Sequence, residues 1–245
     1  MICRLFVLAL SIPVLAAIPP KASADELAGV VELYTSQGCS SCPPADATLG
    51  RLVQEGDVLA LGFHVDYWNY LGWEDTLSSP ANTERQYGYA RSLNRKSVYT
   101  PQAVINGRDH VNGSDHGAIR AKLKGLAAEG QGLTIPVDVK TDGEGLTVRI
   151  GGGTGKGHVV AVYYDRATTV EIASGENTGK SITYHNSVRD LETIGMWSGK
   201  AMSFELPASV LAAHPGGGLA VLLQSVSPRG TPGVILGAGR IETAP

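Results

Sequence analysis

The chain has 245 residues, a formal charge of −3 at pH 7 and a hydrophobic fraction of 43%. That length suits one large domain or two small ones, and the apolar fraction allows a sizeable core. So mild an acidic balance argues against a nucleic acid as partner.

The first 24 residues are typical of a secretory signal peptide. Arg4 supplies a positive charge, residues 5–18 form an apolar core, and the small residues 22–24 make a cleavage site. The apolar core is too short to span a membrane comfortably. We therefore expect a cleaved leader and a mature protein in the periplasm or the medium, with no membrane span. An uncleaved anchor is the alternative.

Two cysteines remain once the leader and its Cys3 are removed, and they form a Cys-x-x-Cys motif. Residues 30–34 predict a strand that leads to Cys39 and Cys42, and residues 43–55 predict a helix. This motif beside a strand and a helix is typical of a thioredoxin-like redox site. The positive end of the helix stabilises a thiolate. We expect Cys39, at the mouth of the helix, to attack, and the shielded Cys42 to resolve.

Two other uses of the motif stay open. A Cys-x-x-Cys pair can be half of a zinc site, although the chain has no second such pair to complete it. A permanent structural disulfide is the other use, although closing so short a loop gains little chain entropy.

A second apolar run, residues 58–65, predicts a buried strand parallel to the first. Polar and aromatic residues leave its carboxyl end, where open α/β sheets bind ligands. We therefore expect Asp66 and Trp68 to line a groove near Cys39. A capping role for Asp66 and packing of Trp68 between loop and sheet are the alternatives. His64 is either a core histidine or, together with the two thiols, a copper ligand.

The next segments predict a helix, a hairpin and another helix. Ser79-Pro80 opens the first helix as its cap and first residue. Pro101 precedes an apolar strand that ends at Asn106-Gly107, the signal of a tight hairpin. The last helix spans residues 118–128.

Two of these segments carry a resemblance to a known superfamily. ELYTSQGCSSC and VYTPQAVING are similar to the active-site turn and the proline hairpin of glutaredoxin-type members of the thioredoxin-like superfamily. The resemblance covers about residues 28–130. It implies that Pro101 is cis and shapes the groove beside the cysteines, and that the Thr100 backbone pairs with an extended substrate.

Nearly the whole mature chain resembles a narrower family. CSSCPPAD, HVDYWNYLGW, TPQAVINGR and GENTG are similar to segments of an uncharacterised family of secreted bacterial proteins with a domain of unknown function. This resemblance implies the fold and the location. The reaction follows only by analogy, because one fold supports many functions.

The chain departs from thioredoxin in two places. Ser40-Ser41 stands where thioredoxin has Gly-Pro, so no redox potential is transferable. The buried aspartate before the motif is absent at its usual spacing, which makes Glu32 the candidate proton acceptor for Cys42. Strand alternation does not say which face Glu32 takes, and a surface glutamate is the alternative.

Short alternating strands separated by glycine turns dominate residues 131–245 and predict an all-β, sandwich-like domain. No catalytic motif appears there. Turn chemistry accounts for the polar stretch 174–179. His185 and Arg189 are either partner contacts or structural. This domain either fixes a partner or packs beside the cysteine groove.

The predicted organisation is a signal peptide (1–24), a thioredoxin-like α/β domain (25–130) and a β-sandwich-like domain (131–245). The predicted function is thiol–disulfide exchange with a protein or small-thiol substrate, without cofactor or metal. A binding module or metal carrier that keeps Cys39 and Cys42 as a structural disulfide is the alternative. The sequence does not indicate the direction of exchange, the substrate or the oligomeric state.

Overall fold

The computed structural model describes residues 27–141, 145–212, 216–227 and 230–242. Its elements are β1 (Val30–Thr35), α1 (Pro43–Glu55), β2 (Leu59–His64), a 3₁₀ turn (Asn69–Leu71), α2 (Pro80–Ser92), β3 (Gln102–Ile105), β4 (Asp109–Asn112), α3 (His116–Ala128), β5 (Val137–Thr141), β6 (Gly145–Ile150), β7 (Gly157–Glu171), β8 (Ser181–Trp197), β9 (Met202–Pro207), α4 (Ser209–Ala212), β10 (Gly217–Val226) and β11 (Pro232–Glu242). The predicted signal peptide lies outside the described residues. Within them, no helix is long and apolar enough to cross a membrane.

The first strand and helix form where the sequence predicts them. Pro43 occupies the first turn of α1, where a missing N–H costs little. Gly56 ends the helix in the left-handed conformation (φ 78°), and its N–H donates to the carbonyl of Leu52 at 3.3 Å. Because α1 begins directly after Cys42, the second cysteine lies at the helix N-terminus.

In the described chain, eight strands form one mixed sheet in the order β11-β10-β7-β8-β2-β1-β3-β4. β1 is parallel to β2 and antiparallel to β3. β8 joins the two halves of the chain, since it runs parallel to β2 through the pair Gly62–Ser187. A second sheet has the order β5-β6-β9.

The second half therefore differs from the self-contained β-sandwich that the sequence predicts. Its small sheet does pack on the large one, since Val148 of β6 shares an apolar cluster with Val159 of β7 and Val221 of β10. The layer beneath, however, continues into β2. The hydrophobic pattern does not predict β8, because the strand contains the polar residues Asn186 and Ser187. A domain boundary at residue 130 stays a prediction.

The two faces of β1 bury different helices. Leu33 shares an apolar cluster with Leu49 of α1. Tyr34 lies in a separate cluster with Tyr89 of α2. Because side chains alternate along a strand, Glu32 lies on the α2 face. The choice that the sequence left open is thus settled by the packing of the helices.

Candidate functional site

A disulfide joins Cys39 and Cys42 in the turn between β1 and α1, with an S–S distance of 2.18 Å. The N–H of Cys39 donates to the carbonyl of Ser36, and the N–H of Cys42 to that of Cys39, both at 3.1 Å. Cys42 is the N-cap residue of α1, so the pair lies at the positive end of the helix dipole. Cys39 is only 1% exposed and Cys42 is fully buried. The accessible attacking sulfur that the sequence suggests is therefore covered.

Thr100, which precedes Pro101, lies beside the disulfide, and Trp68 contacts Thr100. The Thr100–Pro101 peptide is cis. The Thr100 hydroxyl is 3.4 Å from the Cys39 sulfur and accepts a hydrogen bond from Trp68 Nε1 at 2.8 Å. A side chain at Gly38 would touch Trp68, since an added Cβ would lie 3.3 Å from the tryptophan Cβ. The Trp68 side chain thus links the loop between α2 and β3 (residues 93–101) to the turn between β1 and α1 (residues 36–42). We call this turn the cysteine turn.

Asp66 has a different set of contacts. Its carboxylate accepts a hydrogen bond from the Thr83 hydroxyl at 2.6 Å, and its backbone N–H donates to the oxygen of that hydroxyl at 3.1 Å. Both bonds fasten the end of β2 to α2. The contacts match the capping alternative, and a role in substrate binding stays a prediction.

The prediction that Glu32 accepts a proton from Cys42 needs correction. Glu32 is fully buried on the α2 face, where Arg85 Nη2 lies 2.6 Å from its carboxylate. Arg85 also lies over the rings of Phe63 and Tyr89, 5.4 and 5.3 Å from their centroids. Since α1 packs on the opposite face of β1, Glu32 serves a buried ion pair instead.

Breaking this ion pair should destabilise the fold. Arg85→Met would leave the Glu32 carboxylate buried without its cation, and we expect a loss of about 3 kcal/mol in the free energy of unfolding. The lower end of the usual range applies because the arginine side chain keeps 11% exposure. Urea denaturation measures the loss. The double variant Glu32→Gln/Arg85→Met should recover most of it, and a double variant as unstable as the single one would contradict this assignment.

Asp46 is the buried carboxyl group on the cysteine side of the sheet. It follows Cys42 by one helical turn, and its N–H donates to the Cys42 carbonyl at 3.1 Å. Oδ1 accepts a hydrogen bond from the Thr35 hydroxyl at 2.7 Å, whereas Oδ2 has no partner among the described residues. Burial raises the pKa of Asp46 to about 7, although the charge of nearby His64 opposes the shift. This carboxyl group can therefore exchange a proton near neutral pH.

His64 and Asp75 form a buried pair behind Asp46. His64 Nδ1 lies 2.8 Å from Asp75 Oδ2, and both side chains are almost fully buried. Asp75 also accepts hydrogen bonds from the N–H groups of Gln37 and Leu77, each at 2.8 Å. Burial would raise the pKa of Asp75, but the charge of His64 and these donors outweigh it and hold the pKa below its usual value.

Tyr184 of β8 completes this buried cluster. Its ring meets the His64 ring edge to face, with centroids 4.7 Å apart. Burial raises the pKa of Tyr184, and the charges of Asp46 and Asp75 raise it further. His64 is thus a core histidine with a carboxylate partner. Among the described residues, no three His, Cys, Asp or Glu side chains are placed to hold a metal ion.

A loop from the second half of the chain covers the cysteine turn. We call residues 172–180 the β7–β8 loop. Asn177 is buried, and its Nδ2 donates to the carbonyls of Gln37 and Cys39, both at 2.9 Å. The carboxylate of Glu176 accepts a hydrogen bond from the N–H of Ser40 at 3.2 Å. The sequence predicts only turn residues in this stretch, whereas Asn177 and Glu176 contact the cysteine turn.

The segment after β2 packs against the same loop. Trp73 Nε1 donates to Gln37 Oε1 at 2.8 Å. A side chain at Gly175 would lie 3.1 Å from the Trp73 Cβ, and the Ser174 hydroxyl donates to the Gly72 carbonyl at 2.5 Å. The cysteine turn thus lies between two loops, one from each half of the chain.

The family model described as "Protein of unknown function (DUF1223)" matches residues 30–224. The chain belongs to DUF1223. A protein from Agrobacterium tumefaciens with a known crystal structure is 50% identical to this chain in sequence. The alignment covers 90% of this chain and 96% of that protein, and the two structures superpose with a TM-score of 0.84. No match was found among curated proteins.

HBP35 of Porphyromonas gingivalis shares the fold of this DUF1223 chain at low identity. The two are 13% identical with a TM-score of 0.58, and the alignment covers 91% of this chain and 76% of HBP35. At this identity the likeness concerns the fold alone.

Sequence reasoning missed the roles of Asp46, Asp75 and Asn177 in this DUF1223 protein. A signal for Asp46 was present, because a carboxyl group four residues after Cys42 lies on the same face of the helix. Asp75 and Asn177 lie in loops far along the chain from the cysteine motif and gave no such signal. His185, a candidate partner contact, instead packs on α1, where its ring would lie 2.7 Å from a Cβ added at Gly50.

Proposed function

We propose that this protein is a periplasmic or secreted thiol–disulfide oxidoreductase with a thioredoxin-like N-terminal domain, acting through Cys39 and Cys42. The observation that carries the proposal is the disulfide at the N-terminus of α1, with the Thr100 hydroxyl 3.4 Å from the Cys39 sulfur. The helix dipole favours a thiolate there once the pair is reduced. The leader-like residues 1–24 support the location, since disulfide chemistry needs an oxidising compartment.

In the reducing direction the Cys39 thiolate attacks one sulfur of a substrate disulfide. An S–S bond forms between Cys39 and the substrate, and the other substrate sulfur leaves as a thiolate. Cys42 then attacks the Cys39 sulfur, which restores the Cys39–Cys42 bond and releases the second thiolate. Two electrons pass to the substrate. The same steps in reverse oxidise a substrate dithiol.

Asp46 is the proton acceptor for Cys42 in this proposal, in place of Glu32. A base works best when its pKa lies near the operating pH, and burial brings the pKa of Asp46 to about 7. Its carboxyl lies at the cysteine end of α1. Thr100, Pro101 and Trp68 would position the substrate beside Cys39.

The redox potential of the Cys39–Cys42 pair tests the proposal. The mature protein is equilibrated with glutathione buffers and its thiols are trapped. Known exchange proteins have potentials between about −270 and −120 mV, and we expect a value in this range. A potential below about −300 mV with slow exchange is characteristic of structural disulfides and would reject the enzymatic function.

A binding module with a permanent disulfide is the second candidate. The 1% exposure of Cys39 and the hydrogen bonds of Asn177 above it favour this alternative. Such a protein would keep its partner binding after reduction, as long as the fold survives. The oxidoreductase would not keep its exchange activity without both sulfurs.

A further inference from the structure

Exchange at the Cys39–Cys42 disulfide requires access to a sulfur atom. An attacking thiolate must reach one of the two sulfurs, so the exchange rate depends on its accessibility. Cys39 is 1% exposed and Cys42 is fully buried. Something near the disulfide has to move before a substrate can react.

The β7–β8 loop is fastened to the cysteine turn by a few polar contacts. Asn177 donates to two carbonyls of the turn, and Lys180 Nζ holds its Oδ1 at 2.7 Å. Glu176 adds the contact with the N–H of Ser40. The bonds from Asn177 and Glu176 to the turn join residues 136 to 140 positions apart, and they close the loop over the turn.

The loop is also held by the bond from Ser174 to the Gly72 carbonyl and by the contact of Gly175 with Trp73, but residues 173–180 bury no apolar side chain. Ser174, Glu176, Thr178 and Gly179 are exposed, and Asn177 is the buried residue among them. Gly175 and Gly179 both have φ of 80°, a conformation that glycine adopts without strain. Segments with few buried apolar contacts open at low cost. The loop is therefore built to open while β7 and β8 stay paired.

We propose that the β7–β8 loop controls the access of substrates to the Cys39–Cys42 disulfide, with Asn177 as its latch. The inference rests on the proposed exchange activity. In the closed form, Asn177 satisfies the carbonyls of Gln37 and Cys39. In the open form these carbonyls and the N–H of Ser40 face the incoming substrate. The second half of the chain thereby determines which thiols react.

The test is the rate at which dithiothreitol reduces the oxidised full chain. One thiolate of the reductant attacks one protein sulfur, which breaks the Cys39–Cys42 bond and releases the other cysteine as a thiolate. The second thiolate of the reductant then attacks the reductant sulfur of this mixed disulfide and displaces the remaining protein sulfur. The products are two cysteine thiols and the cyclic disulfide of the reductant. If closing is fast, the rate follows the population of the open form. Asn177→Ala removes two hydrogen bonds and should raise the rate by roughly tenfold.

Asn177→Asp makes the test sharper. It keeps the size of the side chain but turns two donors into an oxygen that faces two carbonyls, so the increase should exceed that of Asn177→Ala. Thr169→Ala is the matched control, because its hydroxyl bonds Thr183 on the same hairpin at 2.8 Å, away from the turn. The control should react at the wild-type rate.

A wild-type rate in a folded Asn177→Ala protein overturns the latch. If that variant does not fold, Glu176→Ala replaces it, since this exposed side chain contributes one contact to the turn. A smaller increase supports the latch, and an unchanged rate overturns it. A faster variant whose disulfide has a structural potential would keep the latch and reject the oxidoreductase. An unchanged rate with an exchange-type potential would do the reverse.

Discussion

Replacing Cys39 by serine is expected to abolish thiol–disulfide exchange, with a loss of at least roughly a thousandfold in rate. A serine hydroxyl forms no disulfide, and it does not ionise near neutral pH as a thiol does. Cys42 is fully buried at the N-terminus of α1, so it should not replace Cys39 as the attacking group. The measurement is the rate at which the reduced mature protein reduces a fluorescent disulfide-linked peptide.

Two further variants show whether the loss of exchange in Cys39→Ser is due to the missing attacking sulfur. Cys42→Ser keeps the attacking sulfur and should accumulate a mixed disulfide with the peptide at Cys39. Ser40→Ala is the matched control, because Ser40 lies in the same turn with an exposed side chain. Exchange that survives in Cys39→Ser would contradict the assigned order of attack. Partner binding that survives there while no variant exchanges thiols would favour the binding module.

The sequence predicts the parts of this fold that short-range signals determine. The proline in the first turn and Gly56 at the end place α1, and Asn106-Gly107 places the hairpin between β3 and β4. The cis peptide before Pro101 follows from the family resemblance. Each of these features depends on residues within a dozen positions of one another.

The features that the sequence does not predict depend on contacts between distant positions in the chain. β8 meets β2 through Gly62 and Ser187, and neither residue type favours a strand. Asn177 reaches the cysteine turn only because β7 and β8 form a long hairpin beside β2. The direction of Glu32 depends on where α2 packs, which strand alternation alone does not tell. The superfamily resemblance is limited to the first half, and the family that covers nearly the whole mature chain is uncharacterised, so neither could supply these relations.

Replacing Asp46 by asparagine is expected to change how stability depends on pH. The pKa of Asp46 is about 7 in the fold, against an ordinary value of 3.8. Between these values the folded state holds a proton that the unfolded state has lost. Stability from this group is therefore fully present below about pH 4 and is lost as pH rises through 7. The free energy of unfolding falls by about 4 kcal/mol in total across this range. In Asp46→Asn this pH-dependent loss is absent, because asparagine does not ionise.

Urea denaturation of the oxidised proteins at several pH values between 4 and 8 measures this difference. His64, Asp75 and Tyr184 face Asp46, so the measured difference includes the electrostatic coupling of Asp46 to these neighbours. Gln54→Ala is the matched control on the same helix, because Gln54 is exposed and does not ionise. That control should keep the wild-type slope between pH 4 and 8. Equal slopes for the wild type and Asp46→Asn would mean that Asp46 is ionised throughout, and it would then lose its place as the proton acceptor of Cys42.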